Sequence, residues 1–167
     1  MRYLLDANTF IEAKNRYYGM EICPGYWEWI IDKNKSHALC SIDMIRNELE
    51  KGNDNLAAWA KEHKHLFHSC EDLATQQAYG QVANYATTIQ DLKPGALNEF
   101  LSVADSWLIA KAMATSAIIV THEQHNPNAK RKILIPNVCN HFNIKWMDTF
   151  ELLSSLQARF IQENKLN

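Results

Sequence analysis

The feature that most constrains this chain is the apolar stretch at residues 3–5, which runs directly into Asp6. Thr9 and Glu12 follow at the spacing of a capping box, which predicts that a helix begins there. Asp6 should therefore lie where a buried strand ends and a helix starts. Ligands bind at this carboxyl edge of the strands in open α/β sheets. Asp6 is thus either a candidate site residue or a simple helix-capping acid.

Strand-like and helical segments alternate along the chain. We predict strands at residues 2–5, 37–40, 117–121 and 144–147. Helices are predicted at 9–17, 25–35, 42–51 with Ser41 as N-cap, 54–67, 72–91, 96–115 in two pieces, 136–141 and 149–163. Strands separated by helices need crossover connections, which favour a parallel sheet covered on both faces. The sequence predicts a three-layer α/β/α fold with a central parallel sheet of about four strands, in a single domain over residues 1–167.

The composition is that of an ordinary globular protein, with 47% apolar and 22% charged residues. A net charge of −2 argues against a protein whose whole task is to coat nucleic acid. The charge is compatible with an enzyme that has a local basic rim around an acidic centre.

Four widely spaced cysteines form no Cys-x-x-Cys motif, and we expect reduced thiols. The N-terminal stretch has no apolar run of signal-peptide length. No segment approaches the roughly 20 apolar residues that span a bilayer. These features predict a cytoplasmic protein with no membrane association.

Three further carboxylates have unusual surroundings. Glu48 falls on the apolar arc of its predicted helix, and Asp105 lies beside an apolar face near the start of another helix. Glu123 comes two residues after the apolar strand at 117–121 and should share a sheet edge with Asp6. Each has a plainer interpretation: Glu48 as an acid at the edge of its stripe, Asp105 as a favourable helix-start charge, and Glu123 as a loop acid.

Four carboxylates that converge would repel one another strongly unless a cation neutralised them. Mg²⁺ and Mn²⁺ prefer oxygen ligands and keep several waters. An ion held in this way can activate a water for phosphodiester hydrolysis and stabilise the leaving oxygen. The four acids therefore predict a metal-dependent hydrolase site.

Several segments, taken in order, resemble the PIN domain, the nuclease fold of VapC-type toxins. They are Tyr3-Leu4-Leu5-Asp6-Ala7-Asn8-Thr9-Phe10, the helical Glu48, Ala104-Asp105-x-x-Leu108-Ile109-Ala110-x-Ala112 and Ile119-Val120-Thr121-x-Glu123. The chain is similar, more narrowly, to a PIN-like family first catalogued as a domain of unknown function. That likeness lies in Gly25-Tyr26-Trp27, Phe100-Leu101, Lys132-Ile133-x-Ile135-Pro136-Asn137 and Asp148-Thr149-Phe150-Glu151, and it covers nearly the whole chain.

The resemblance implies a catalytic metal site made of Asp6, Glu48, Asp105 and Glu123. Asn8 and Thr121 match the positions that support the first and last of these acids. The implied activity is an Mg²⁺- or Mn²⁺-dependent endoribonuclease that acts as the toxin of a type II toxin–antitoxin pair. The implied partners are an RNA substrate and an antitoxin, and because dimerisation is common in this fold the resemblance also implies a homodimer.

The sequence departs from the family pattern at the last acid. That residue is usually Asp, whereas here it is Glu123, one methylene longer, and the acid that often follows is replaced by His125 and Asn126. Two alternatives stay open. One is a nuclease of the same fold that cuts DNA or flap structures, and the other is an inactive PIN-fold protein that only binds.

Basic and histidine-rich segments are further candidates. Lys130, Arg131 and Lys132 follow the Glu123 loop and could hold RNA phosphates, as could Lys111. Solvated charge is the plainer interpretation of each. The segment 63–70 carries three histidines and a cysteine, which are zinc-ligand types. On a continuous helix His63 and His65 would face about 200° apart, which leaves His65, His68 and Cys70 as candidate ligands and favours a polar helix end over zinc.

Overall fold

The structure is a computed structural model that describes residues 2–161. A five-stranded sheet lies at its centre, in the order β3-β2-β1-β4-β5, and every neighbouring pair is parallel. The strands are β1 (Tyr3–Leu5), β2 (Leu39–Ile42), β3 (Phe67–His68), β4 (Ile118–Val120) and β5 (Trp146–Met147). Parallel neighbours require crossovers, and helical segments supply them. The predicted α/β/α class is confirmed.

The helices begin with α1 (Ala7–Glu12), which continues as a π-helical turn at Ala13–Tyr17. The others are α2 (Pro24–Lys35), α3 (Asp43–Glu50), α4 (Asn55–Glu62), α5 (Leu73–Thr88), α6 (Ala96–Ser102), α7 (Ala104–Thr115), α8 (Ile135–His141) and α9 (Thr149–Ser155). The predicted break between α6 and α7 is confirmed, and Val103 separates them in extended conformation. Within residues 2–161, no helix combines the length and the apolar character needed to cross a bilayer.

The third strand was not predicted. We expected a helix as far as residue 67, but α4 ends at Glu62 and a 3₁₀ turn occupies Lys64–Leu66. Phe67 then pairs with Ser41, and the following residue continues the pairing along β2. Two paired residues are too few for an alternating pattern, and Phe67 happened to match the helical period.

The capping prediction at the first helix was wrong in its details. Asp6, rather than Thr9, is the N-cap, and its side chain accepts a hydrogen bond from the Ala7 amide. Thr9 instead donates its hydroxyl to the Asp6 carbonyl, and Glu12 pairs with Arg16 one turn later. The capping acid is therefore the residue at the sheet edge itself.

Two other boundaries differ from the prediction. Ser41 belongs to β2 and donates its hydroxyl to the Leu5 carbonyl, so it caps no helix. The last helix ends at Ser155, where the expected helix continued to 163, and positions 162–163 lie outside the described residues. Asp148 and Glu151 form a capping box at the start of α9.

The register of β1 against β4 determines where the acids meet. Leu5 is paired with Val120 at the carboxyl ends of the two strands, and the Asp6 amide donates to the Val120 carbonyl. Leu4, Leu5, Ile119 and Val120 are fully or almost fully buried. Strands covered on both faces form continuous apolar runs, so the first polar residues after them lie together at one edge.

Candidate metal-binding cleft

The four predicted acids line one cleft of about 250 Å³ at the carboxyl edge of β1 and β4. They come from four different places in the chain, namely Asp6, Glu48, Asp105 and Glu123. Glu99 and Lys132 also line the cleft. The fold thus brings together carboxylates that are far apart in the sequence, together with one cation.

Asp6 is the most deeply buried of these acids, with 4% of its surface exposed. Its Oδ1 accepts from the Ala7 amide at 2.7 Å, and its Oδ2 accepts from the Thr121 hydroxyl at 2.8 Å. Helix α1 begins immediately after it, so the carboxylate also lies at a helix N-terminus. These contacts fix the orientation of the carboxylate.

Thr121 connects the two sheet-edge acids. Besides donating to Asp6, its Oγ1 accepts from the Asn8 side-chain amide at 3.1 Å and from the Glu123 backbone amide at 3.1 Å. The Asn8 Oδ1 in turn accepts from the His122 amide at 2.9 Å. Thr121 therefore contacts Asp6 directly and Glu123 through its backbone amide, whereas Asn8 contacts Thr121 and His122 and reaches the acids only through Thr121.

Glu48 and Asp105 reach the cleft from two helices. Glu48 lies on α3, half-buried, and its Oε1 accepts from the Ala104 backbone amide at 3.1 Å. Ala104 is the first residue of α7, so this bond satisfies a helix N-terminal amide. Asp105 is the next residue of α7, so the bond between Glu48 and Ala104 brings the two acids into the same cleft.

Asp105 has an incompletely satisfied carboxylate. Its side chain is 14% exposed, and its Oδ2 is buried without a hydrogen-bond partner among the described residues. Lys132 Nζ lies 3.3 Å from this oxygen, which is an ion pair without hydrogen-bond geometry. A buried carboxylate oxygen in this state is costly unless a cation or donor meets it.

Glu123 is held by two donors. Its Oε1 accepts from Lys132 Nζ at 2.6 Å, and its Oε2 accepts from the Ile135 amide at the start of α8 at 2.8 Å. The side chain is 13% exposed. The Glu123 side chain, one methylene longer than Asp, thus contacts the start of α8 as well as Lys132 in the cleft.

The electrostatics of the cleft favour a cation. Burial, and then the charge of Asp105, raise the pKa of Asp6 to about 8. Burial also raises the pKa of Asp105. The charge of Lys132 lowers this pKa and the charge of Glu123 raises it, and the pKa stays above its ordinary value. Burial lowers the pKa of Lys132, but its bond to Glu123 and the charge of Asp105 outweigh this, so the pKa lies above the ordinary value. Each shift reflects an excess of negative charge in a poorly solvated space.

The donor set fits Mg²⁺ or Mn²⁺. All four predicted ligands offer carboxylate oxygens, which these hard cations prefer. Within the described part of the chain no group donates a hydrogen bond to the buried Asp105 Oδ2, and an ammonium group already lies between two of the acids. Asp6, Glu48 and Asp105 would hold an ion, and Glu123 would need to share its oxygens with Lys132 and Ile135.

The predicted phosphate-binding lysines have different surroundings. Lys111 is buried, and its ammonium donates to the Ser69 carbonyl at 2.8 Å and to Asp72 Oδ2 at 2.6 Å. The ammonium of Lys111 is therefore engaged inside the protein, and its role in holding RNA stays a prediction. Lys130 and Arg131 are exposed, and their contacts with RNA also stay predictions.

The sequence did not indicate the contacts of two cleft residues. Lys132 was predicted with its neighbours as a phosphate ligand, which stays a prediction, and in the structure its ammonium pairs with Asp105 and Glu123. Glu99, on α6, was not considered. The one sequence signal for Glu99 was its place in a helix shortly before Asp105, and no pattern indicated the contacts of Lys132.

The all-parallel sheet, its flanking helices and the acids at its carboxyl edge define a PIN-like α/β/α fold. The chain is similar in structure to a chain of VapBC-1 from nontypeable Haemophilus influenzae, with a TM-score of 0.53 and 18% sequence identity. The likeness covers 89% of this chain and 98% of that chain. Among curated proteins, none matches this sequence.

The sequence also shows to which family the chain belongs. The chain belongs to the family described as Domain of unknown function (DUF4411), whose model matches residues 3–160. The match spans all five strands and every one of the four predicted acids.

Proposed function

We propose that this protein is a divalent-metal-dependent endoribonuclease and the toxin of a type II toxin–antitoxin pair. The observation that carries the proposal is the convergence of Asp6, Glu48, Asp105 and Glu123 on one cleft. A cluster of acids with a raised Asp6 pKa is a liability for a purely structural protein, because it destabilises the fold at neutral pH. A bound cation would offset this destabilisation and give the cluster a catalytic role.

Mg²⁺ or Mn²⁺ would supply the chemistry by activating a water and by stabilising the oxygen that leaves the phosphodiester. The protein's part is to hold the ligands in place. Thr121 and the Ala7 amide orient Asp6, and the Ala104 amide orients Glu48. Such preorganised carboxylates need little rearrangement when substrate arrives.

Lys132 has a second task in this proposal. Its ammonium lies between Asp105 and Glu123, and it reduces their repulsion when no metal is bound. A flexible lysine can move aside for a cation or toward an RNA phosphate. The lysine therefore stabilises the metal-free protein.

RNA as the substrate and an antitoxin as the partner rest on the resemblance to VapC-type toxins, to which the fold-level likeness to VapBC-1 adds support. The resemblance also favours cytoplasmic action and a homodimer.

Cleavage of a circular RNA tests the activity, because only an endonuclease can open a circle. We expect cleavage with Mn²⁺ or Mg²⁺, none with a chelator, and a loss of about 100-fold or more in Asp6→Asn. The matched control is Asp148→Asn, since Asp148 also follows a strand and caps a helix but lies outside the cleft. Equal cleavage by wild type and Asp6→Asn would reject the mechanism.

Two further assays separate the alternatives. A matched single-stranded DNA and a DNA flap show whether the enzyme is instead a DNA nuclease. RNA binding without cleavage of RNA or DNA would indicate a binding protein. For the toxin assignment, co-expression with the product of the adjacent gene should restore growth that wild type inhibits, and Asp6→Asn should not inhibit growth.

A further inference from the structure

A second group of metal-ligand side chains lies in the sheet and shares no residue with the acidic cleft. His37, Cys40 and His68 each offer one ligand atom, and these atoms all lie within 4.8 Å of one another. The donors are two imidazole nitrogens and a sulfur, which suit zinc rather than magnesium. We propose that these three residues form a Zn²⁺ site.

The pairing of β2 with β3 brings two of the ligands together. Ile42 is paired with His68, so these residues lie on the same face of the sheet. Cys40 lies two residues before Ile42 on β2 and therefore points to that face as well. Side chains in such diagonal positions are close enough for a long ring to reach its neighbour.

His37 completes the group from the turn that precedes β2. Its ring centroid lies 6.2 Å from that of His68, with the two planes at 67°. The side chain of His37 is exposed, so it can adjust without disturbing the core. Solvent access on this side leaves room for water as the fourth ligand.

An unpartnered polar atom points independently to a missing ligand. His68 Nε2 is buried and has no hydrogen-bond partner among residues 2–161. An orphaned buried nitrogen costs about 1–3 kcal/mol, and native structures keep few such atoms. A zinc ion, or the closure that it induces, would give this imidazole a partner.

Cys40 is held as a metal ligand would be. Its sulfur accepts a hydrogen bond from the Asn34 side-chain amide at 3.7 Å, and Asn34 also donates to the Leu39 carbonyl at 2.8 Å. Both Asn34 and Cys40 are buried. This donor favours the thiolate form that binds zinc, whereas burial raises the pKa of the Cys40 thiol.

The distances require only a small closure. Tetrahedral zinc, with bonds of about 2.0–2.3 Å, holds its ligand atoms roughly 3.5 Å apart. The present spread of 4.8 Å or less must therefore shrink by about 1 Å. Rotation of the exposed His37 side chain can shorten its distances to Cys40 and His68.

Co²⁺ is the probe, because cobalt bound to a thiolate gives a charge-transfer absorption band in the near ultraviolet. We expect the thiolate band of chelator-treated wild type to saturate at one thiolate-bound Co²⁺ per chain when excess Mg²⁺ occupies the acidic cleft, and to be abolished by an equivalent of Zn²⁺. Cys40→Ser should remove the band, and His37→Gln should weaken Co²⁺ binding by about tenfold or more. The matched controls Cys23→Ser and His65→Gln should behave like wild type.

A folded wild-type protein without a thiolate band, or a band that persists in Cys40→Ser, would overturn the site. His37→Gln decides the matter if Cys40→Ser fails to fold, because His37 is exposed and its replacement spares the core. A band that His37→Gln leaves unchanged would also overturn it. The readout is absorption, so the result is independent of nuclease activity, and Asp6→Asn should keep the band.

Discussion

Lys132 Nζ lies 2.6 Å from Glu123 Oε1 and 3.3 Å from Asp105 Oδ2, so one ammonium group bridges two carboxylates of the cleft. The side chain of Lys132 is 44% exposed, whereas those of the two acids are largely buried. The Lys132 ammonium can therefore be displaced from the cleft, whereas the carboxylates of Asp105 and Glu123 are held in place.

Replacement of this cation should make the protein more dependent on metal. We expect Lys132→Gln to lower the free energy of unfolding without metal by about 1 kcal/mol, since solvent screens a half-exposed pair. The increase in Tm on adding Mn²⁺ should be larger than in wild type. Thermal denaturation across a Mn²⁺ titration measures both effects.

Lys130→Gln is the matched control, because Lys130 pairs with Asp91 at 3.1 Å on the surface. It should leave both quantities close to wild type. A Mn²⁺ response in Lys132→Gln that is no larger than in the control would contradict this account of the bridge.

The pKa of Asp6 predicts how stability depends on pH without metal. In the folded protein it is raised to about 8, from an ordinary value of 3.8, by burial and the charge of Asp105. The folded state thus holds a proton that the unfolded state releases. The contribution of this group is complete below the unfolded pKa and is lost as pH rises through the folded value.

We therefore expect the free energy of unfolding of metal-free wild type to fall between pH 3.8 and about 8 more steeply than that of Asp6→Asn. Chemical denaturation over this range measures the two slopes. Asp148→Asn should follow wild type. Parallel curves for wild type and Asp6→Asn would show that Asp6 is not protonated at neutral pH.

The hydroxyl of Thr121 connects Asp6, Asn8 and the Glu123 amide, so its removal should disturb positioning more than binding. Thr121→Val keeps the shape but leaves buried partners unpaired, which should cost about 1–3 kcal/mol of stability. We expect kcat to fall by about tenfold or more with little change in KM.

Thr121→Ser provides the comparison, because it keeps the hydroxyl and loses only a methyl group. Its kcat should return toward the wild-type value. If Ser and Val variants lost activity equally, the hydroxyl would have no positioning role.

Replacing Lys111 and replacing Arg131 should have opposite effects on stability and on the KM for RNA. Lys111→Met breaks an ion pair with Asp72, whose pKa is lowered by the bond from Lys111. It should cost about 2 kcal/mol of stability, less than for a fully buried pair, and leave the KM for RNA unchanged. Arg131→Gln should instead raise KM and reduce its salt dependence at unchanged stability. The reverse result would favour Lys111 as a phosphate ligand.

The sequence by itself determined the local features of this protein. The strands β1 and β4 are continuous apolar runs, and a strand followed by an acid and a helix start placed Asp6 at the sheet edge. The helical period placed Glu48 on an inward-facing arc. These features depend on neighbours in the chain, which sequence patterns describe directly.

Only the tertiary structure decided which side chains meet across the fold. The β3 strand has two residues and exists because β2 lies beside it, so its sequence carries no strand signal of its own. Lys111 and Lys132 are both lysines in polar segments, yet one is buried against Asp72 and the other bridges two cleft acids. Their roles are set by partners distant in sequence, because an ion pair depends on the distance between charges in space and not on their separation along the chain.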